Sequence, residues 1–263
     1  KVMKVLAVMR DVVFSPNSVD KDRAILLAAA NCLGSDVVVV DENNIPDDVA
    51  DFDICLSMAR QTVNLDKLAL LATQGLKVIN NPLSIKACTR SIIETVMHGI
   101  NTPLAPAVGD DGYWIKRGDM AAQTKGEVRY CKNDEELQQA KADFKAVGID
   151  DYVVSAHVVG DLVKWYAVDG GFFRYYYPSD DGNTKFGDEA INGKANHYAF
   201  DADALRQKVE KVAQTIGITA YGGDAIVRAD GTFCIIDFND WPSFSRCRED
   251  AAKAIAEAAK RII

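Results

Sequence analysis

Apolar positions in the first eighty residues alternate between strand-like and helical spacing. Short apolar runs predict strands at Lys4 to Met9, Asp36 to Asp41, Ile54 to Leu56 and Lys77 to Ile79. Helical spacing covers Val19 to Leu33 and Leu65 to Thr73, and a glycine follows each pattern where a helix would end, at Gly34 and Gly75. Strands that alternate with helices in this way predict a parallel sheet.

From about residue 84 the pattern changes to closely spaced strands with short turns, which are typical of antiparallel sheets. These strands are predicted at Trp114 to Lys116, Glu127 to Cys131, Tyr152 to His157, Leu162 to Val168 and Phe172 to Tyr177. Helices are predicted at Ser84 to His98, Asn133 to Val147, Asp203 to Ile216 and Arg248 to Ile263. The chain therefore combines an α/β part with an α+β part.

Composition narrows the functional classes. The 263 residues carry a formal net charge of -8 and no run of five basic residues, which argues against nucleic-acid binding. Apolar stretches fall short of the roughly 20 residues of a membrane-spanning helix, and Arg10 and Asp11 interrupt the apolar N-terminal run, unlike a signal peptide. The six cysteines form no CxxC pair, so neither zinc nor disulfides are expected. We expect a cytoplasmic protein without nucleic-acid or membrane partners.

The segment around Asp230-Gly231 predicts a β-hairpin, because an Asp-Gly pair between two apolar runs is a strong turn signal. With a two-residue turn, Ala229 faces Thr232 and Asp224 lies opposite Asp237. Opposed carboxylates destabilise a sheet unless something neutralises them. The pairing therefore predicts a bound cation between the strands.

Asn239 lies two residues beyond Asp237 and points to the same face of the strand. Asp224, Asp237 and Asn239 thus present three oxygen donors on one side of the hairpin. Carboxylate and amide oxygens suit Mg²⁺ or Mn²⁺, and Mg²⁺ commonly shares its coordination shell with phosphates. The alternative is that these acids merely cover a solvated face.

This spacing of acid, acid and Asn before a Pro-containing loop resembles the Mg²⁺-binding end of the ATP-grasp superfamily. Three upstream segments resemble the same superfamily: Val78 to Pro103 its entry helix and loops, Tyr113 to Lys116 its phosphate-contacting strand, and Tyr152 to Lys164 its hinge. The resemblance implies an ATP-grasp fold, in which two antiparallel-sheet lobes enclose ATP. It also implies three domains: an N-terminal parallel α/β pre-grasp domain over 1–83, a small lobe over 84–154 and a large lobe over 155–263.

Site residues follow from the resemblance position by position. Catalytic positions are Lys116, Arg90 and Arg174. ATP contacts are Arg90, Lys116, Ser155, Ala156, His157, Asp161 (at the ribose) and Lys164. The metal ligands are Asp224, Asp237 and Asn239, and the substrate contacts are Ser243, Ser245 and Arg246. For some of these positions plainer roles stay open: Lys164 as a solvated lysine, Arg174 in a structural ion pair, and the serines as helix caps.

Arg90 and Gly222 are among the positions that depart from the superfamily pattern. Arg90 stands where a phosphate-binding Lys is usual, and Arg can bind phosphate bidentately. Gly222 occupies a place where many peptide-forming members carry Arg, which weakens an assignment to the dipeptide ligases.

The resemblance implies an ADP-forming ligase that activates a small-molecule carboxylate as an acyl phosphate for attack by an amine or thiol. The first alternative is a small-molecule kinase, because Val153 to Val168 and Asp237 to Ser245 also resemble inositol polyphosphate kinases of the same superfamily. The second alternative is a nucleotide-binding regulator without catalysis. ATP and Mg²⁺ or Mn²⁺ are the expected cofactors, small molecules the expected partners, and a homodimer is left open.

Overall fold

The computed structural model describes residues 2–120, 122, 124–182 and 191–263. Its strands are β1 Lys4–Met9, β2 Asp36–Asp41, β3 Ile54–Ser57, β4 Val78–Ile79, β5 Tyr113–Arg117, β6 Val128–Cys131, β7 Tyr152–Ala156, β8 Asp161–Val168, β9 Phe172–Tyr176, β10 Ala220–Val227 and β11 Phe233–Asp240. Its helices are α1 Val19–Leu33, α2 Thr62–Thr73, α3 Pro82–Lys86, α4 Arg90–Gly99, α5 Asp134–Ala146, α6 Ala202–Ile216 and α7 Arg248–Lys260.

These strands form three sheets. The first has the order β2-β1-β3-β4 and is parallel throughout, as the alternating pattern predicts. The second, β6-β5-β7, and the third, β11-β10-β8-β9, are antiparallel. The mixed α/β and α+β fold class is therefore confirmed.

Two large apolar cores join the first sheet to the third. One core packs Leu6 of β1 and Leu68 of α2 against Trp165 of β8 and Leu205 of α6. The other packs α1 against α7, where Leu26 and Ile255 are both fully buried. Because the N-terminal segment shares its cores with the last sheet, the domain boundaries at residues 83 and 154 stay a prediction.

The prediction of a single helix over Ser84 to His98 is wrong. The chain forms α3, turns through Ala87 to Thr89, and starts α4 at Arg90. Thr89 is extended, with φ -80° and ψ 150°, and the amide of Ser91 donates to Gly118 O. A tertiary hydrogen bond thus anchors the second helix, and helical spacing alone cannot reveal such a break.

The hairpin between β10 and β11 differs from its prediction at the turn. Arg228 N donates to Thr232 O, so the loop has three residues and ends on Gly231 in the left-handed region, at φ +82°. The prediction that Ala229 faces Thr232 is therefore wrong. A register shift nearer the site, which leaves Ile236 without a partner on β10, compensates for the extra loop residue.

Gly223 marks the tightest approach in this hairpin. A Cβ there would lie 2.0 Å from Asp237 O and 2.6 Å from Trp165 Cζ2. Gly223→Ala should therefore destabilise the protein by about 3 kcal/mol, the upper end of ordinary overpacking. Thermal or urea unfolding measures this. Gly99→Ala is the matched control, since nothing lies within 4 Å of its Cβ, and equal effects of the two changes would contradict the packing argument.

In the described part of the chain, no helix combines the length and apolar character needed to cross a lipid bilayer.

Candidate functional site

The candidate site begins as a row of side chains across the third sheet. Asp237 of β11 pairs with Asp224 of β10, which pairs in turn with Lys164 of β8. Directly paired residues point to the same face of a sheet, so the three side chains share one face. The predicted opposition of the two carboxylates is confirmed, because the extra loop residue and the bulge cancel before this point.

Lys164 neutralises one of the two acids. Its Nζ lies 3.0 Å from Asp224 Oδ1, and both side chains are partly exposed. The charge of Asp224 raises the pKa of Lys164 above its ordinary value of 10.5, outweighing the opposite effect of burial. Lys164 is therefore a charged member of the site and forms a specific ion pair there.

Asp237 is the second acid, and cations from several elements surround it. Arg90 at the start of α4 places Nη2 3.8 Å from Asp237 Oδ1. Burial alone would raise the pKa of Asp237, but Arg90, Lys116, a hydrogen bond from Asn239 and Lys164 together hold it below the ordinary value of 3.8. The carboxylate is thus kept ionised.

Lys116 links the second sheet to the third. It is 8% exposed on β5, and its Nζ donates to Ile236 O at 3.3 Å. Ile236 is the bulge residue without a partner on β10, so the bulge leaves its carbonyl free to accept from Lys116. The predicted phosphate-binding Lys and the predicted metal ligands therefore meet where the two sheets face each other.

Two cavities flank this meeting point, and Arg90 and Asp237 line both. The smaller one, of about 40 Å³, lies beside Lys116, Val153 and Ser155. The larger one measures about 390 Å³. Its charged wall residues are Arg60, Lys86, Arg90, Asp119, Asp237 and Asp240.

Arg60 and Asp240 belong to the larger cavity and are absent from the sequence-based site. Arg60 lies just beyond β3 and places Nη2 3.0 Å from Asp240 Oδ1, at the end of β11. One signal could have revealed Arg60, because ligands of α/β sheets bind beyond the carboxyl ends of parallel strands. Met58-Ala59-Arg60 follows such a strand directly.

The predicted ATP contacts at Ala156 and His157 stay a prediction, and their backbone N–H groups have partners within the protein. Their backbone N–H groups already donate to Pro106 O at 2.7 Å and Gly112 O at 2.8 Å. The His157 ring is buried and accepts a hydrogen bond from Trp114 at 3.1 Å, and burial lowers its pKa. Both residues therefore shape the hinge through contacts within the protein, while Ser155 remains beside the smaller cavity.

The predicted ribose contact at Asp161 stays a prediction, and the carboxylate of Asp161 is hydrogen-bonded within the protein. Asp161 is 2% exposed, and its carboxylate accepts hydrogen bonds from Asn196 N at 2.6 Å and Tyr198 N at 2.9 Å. The side chain amide of Asn196 makes a third contact at 3.3 Å. Asp161 thus orders the segment before α6, and sequence spacing does not distinguish this role from ligand binding.

Arg174 lies away from both cavities in the described structure. Its guanidinium packs over the Phe172 ring and approaches Asp250 of α7 at 3.8 Å. β9 is the last strand of the third sheet, on the side opposite β11. The structural ion pair is therefore the observed state, and the catalytic role of Arg174 stays a prediction.

The predicted substrate residues Ser243, Ser245 and Arg246 line neither described cavity. Arg246 pairs with Asp181 and stacks over Tyr176, so its charge is already engaged. Trp241 and Phe244, both buried at positive φ, turn the chain between β11 and α7.

No group of three or more His, Cys, Asp and Glu side chains converges as a metal centre within the described ranges. The predicted metal set, Asp224, Asp237 and Asn239, consists of two carboxylates and one amide. Its register is as predicted, and its metal binding stays a prediction.

No protein-family model and no curated protein sequence matches the chain. Several solved structures, however, share its fold. D-alanine–D-alanine ligase from Bacillus anthracis, solved in complex with ATP, matches at a TM-score of 0.69 and 12% identity over 99% of this chain and 98% of that one. A RimK domain ATP-grasp protein from Sphaerobacter thermophilus matches at 0.66 and 16% identity, over 97% of this chain and 98% of that one. The ATP-grasp ligase PsnB, complexed with a minimal precursor, matches at 0.61 and 12% identity over 100% of both chains. At these identities the likeness establishes the fold, and the chain has the predicted ATP-grasp fold.

Proposed function

We propose that this protein is an ATP-dependent, ADP-forming ligase that activates a carboxylate as an acyl phosphate. The observation that carries the proposal is the convergence of Lys116 and Arg90 on the ionised Asp237 between two sheets. Phosphoryl transfer needs positioned charge more than a protein nucleophile. The described site offers cations for phosphates and carboxylates for a metal in one place.

ATP would lie along the edge of β11 and extend across both cavities. Lys116 and Arg90 would contact its phosphates, and Ser155 would border the base in the smaller cavity. That cavity, at about 40 Å³, is well below the roughly 300 Å³ at which ligand pockets begin. Binding of the base therefore requires the lobes to move apart around it. The ATP complex of the Bacillus anthracis ligase supports nucleotide binding on this fold.

The residues opposite one another on β10 and β11 fit a hard divalent cation. Asp237 is ionised, Asn239 supplies an amide oxygen, and the contact of Asp224 with Lys164 uses Oδ1. Asp224, Asp237 and Asn239 would hold Mg²⁺, or Mn²⁺ in its place. When bound, the ion would neutralise phosphate charge and align the γ-phosphoryl group.

The protein's own groups would then act mainly by electrostatics. Lys116 and Arg90 would stabilise the charge that develops as a substrate carboxylate oxygen attacks the γ-phosphorus and ADP leaves. An amine or thiol would attack the acyl carbon, phosphate would leave, and the nucleophile's proton would pass to solvent. Enclosure between the lobes would keep water from hydrolysing the acyl phosphate.

The charge balance of the larger cavity favours a ligase over a polyphosphate kinase. A polyphosphate substrate requires an excess of basic side chains. Here Arg60, Lys86 and Arg90 are matched in the same wall by Asp119, Asp237 and Asp240. Such a wall suits a substrate that carries little net charge.

A phosphorus NMR time course tests the proposal. The protein is incubated with Mg-ATP and pools of carboxylic acids, amines and sugar or inositol phosphates, separately and in combination. We expect ADP and inorganic phosphate only when an acid is present with an amine or thiol. A new phosphomonoester signal would instead identify a kinase, and ADP formation independent of any acid would also contradict the ligase.

A further inference from the structure

The charged side chains in the wall of the larger cavity already have partners of opposite charge within the described structure. The pairs are Arg60 with Asp240, Arg90 with Asp237, Lys86 with Asp66 and Asp119 with Arg117. A second ionic group on a substrate would have to displace one of these pairs, at a cost in desolvation that the new contact must exceed. The part of the substrate that does not react is therefore expected to meet uncharged side chains.

Most of the uncharged side chains in this wall are apolar: Phe14, Leu65, Ile85, Cys88, Met120 and Phe238. Four of these six also pack in the core that contains Trp165. Phe14 and Met120, in contrast, belong to none of the apolar cores formed by the described residues. Phe14 follows β1 and Met120 follows β5, so two separate parts of the chain each bring an apolar side chain without a core to the same cavity.

The turn Val12–Phe14 that carries the first of these side chains is held firmly to the edge of the parallel sheet. The Asp11 carboxylate accepts a hydrogen bond from Val13 N at 3.0 Å, and the Asp11 amide donates to the fully buried Glu42 at 2.6 Å. Val12 and Val13 are nevertheless 55% and 53% exposed. A fixed turn that keeps apolar side chains in water gains free energy when a ligand covers them, and it loses little conformational entropy in binding.

The position of this apolar surface identifies the part of the substrate that would cover it. Asp237 and Arg90 line the same cavity, and a carboxylate that receives the γ-phosphoryl group must lie beside them. The cavity volume of about 390 Å³ is within the roughly 300 to 1,000 Å³ of small-molecule pockets. A molecule of that size with its carboxylate at Asp237 extends its carbon skeleton into the space bordered by Phe14 and Met120.

We propose that Phe14 and Met120 bind the apolar chain or ring of the carboxylic acid that the reaction activates. The substrate class is a small monocarboxylic acid with an apolar chain, in preference to dicarboxylic and sugar acids. Phe14 is then a specificity-determining residue that takes no part in the chemistry. The inference rests on the proposed ligase activity for the position of the carboxylate.

Saturation-transfer NMR with a series of acids of increasing length tests the inference. The full chain is mixed with acetate, butyrate, hexanoate or adipate, together with Mg²⁺ and an ATP analogue that cannot be hydrolysed. We expect the affinity to rise by about fourfold for each methylene group that becomes buried, with the strongest saturation at the terminal methyl group of hexanoate. Adipate has the same number of carbons as hexanoate but a second carboxylate, and it should bind about tenfold more weakly or worse.

Phe14→Ser should weaken the binding of hexanoate by about tenfold and leave that of acetate unchanged, because only the longer acid reaches the side chain. Met120→Ser should act in the same direction from the other side of the cavity. Val108→Ser is the matched control, since Val108 is 75% exposed and lines neither of the two cavities at the site, and it should bind hexanoate as the wild type does. Because Phe14 lies outside the described cores, Phe14→Ser should keep the melting temperature of the wild type.

The inference is overturned if the affinity does not rise with chain length, if adipate binds as tightly as hexanoate, or if Phe14→Ser and Val108→Ser bind hexanoate equally well. The same samples are then given Mg-ATP and the pool of amines and thiols. Hexanoate that binds as expected but yields no ADP would contradict the proposed function and leave the apolar site in place. ADP formed from acids whose binding is independent of chain length would overturn the inference alone.

Discussion

Asp237→Asn is expected to reduce Mg-ATP turnover by about 10²- to 10³-fold, the usual cost of removing one group that stabilises transition-state charge. Asn has nearly the same shape but lacks the charge that Arg90, Lys116 and Lys164 maintain. The loss should appear in kcat, measured as ADP release by the wild type and the variant at saturating ATP. Melting temperatures check that both proteins are folded.

Asp230→Asn is the matched control for this change. Asp230 belongs to the same hairpin, but its carboxylate contacts only Thr232 among its described hydrogen bonds, at the turn. Turnover by this variant should stay within about twofold of the wild type, as for surface changes generally. Wild-type turnover by Asp237→Asn would overturn the metal assignment.

The ionisation of Asp237 also predicts how the stability of the wild type and of Asp237→Asn changes with pH. Its pKa lies below the ordinary 3.8, so the carboxylate stays charged from neutral pH down to that value. Because the pKa of Asp237 is lower in the folded than in the unfolded protein, its ionised carboxylate stabilises the fold above the unfolded-state pKa. This stabilisation is lost as the pH falls through the folded-state pKa. The variant should therefore lose less stability than the wild type on acidification below pH 3.8, as followed by circular dichroism.

Lys116→Met is expected to lower kcat/KM for ATP by about 10²-fold. Lys116 is nearly buried and bridges from β5 to Ile236 O on β11, so its ammonium lies where phosphates would pass between the sheets. Met keeps the length and apolar stem of the side chain and removes only the charge and its hydrogen bonds. Steady-state kinetics at varied ATP concentration measures the effect.

Lys132→Met controls for the loss of a lysine from the same lobe. Lys132 is exposed just beyond β6, and kcat/KM should be unchanged when it is replaced. If Lys116→Met also left kcat/KM unchanged, Lys116 would have to be a structural link between the lobes. A fall in melting temperature without a change in kinetics would identify that alternative.

Short-range sequence patterns predicted much of this site. The facing of Asp224 and Asp237 follows from the turn signal and strand alternation, and a bulge at Ile236 happens to cancel the extra loop residue. Lys116 was predicted from the resemblance of its strand to the phosphate-contacting strand of the ATP-grasp superfamily, and the fold brings its Nζ to Ile236 O on β11. Short-range patterns thus specify which residues share a face.

Long-range contacts explain what was missed. Arg60 is 180 residues from Asp240, and no spacing rule joins them. Asp161 resembles a ligand-binding acid in sequence, but its carboxylate accepts hydrogen bonds from Asn196 and Tyr198. The break before Arg90 depends on a hydrogen bond from the Ser91 amide to Gly118 O. Each outcome depends on a partner that only the folded chain brings near.

The most direct test of the central claim is to follow oxygen from the carboxylate to phosphate. The phosphorus time course is repeated with acids labelled with ¹⁸O in both carboxylate oxygens, in the presence of amines. An acyl phosphate intermediate predicts that the released inorganic phosphate carries one ¹⁸O, visible as an isotope shift, while ADP stays unlabelled. Unlabelled phosphate released alongside the acid–amine product, or a phosphomonoester as the only new species, would contradict the account.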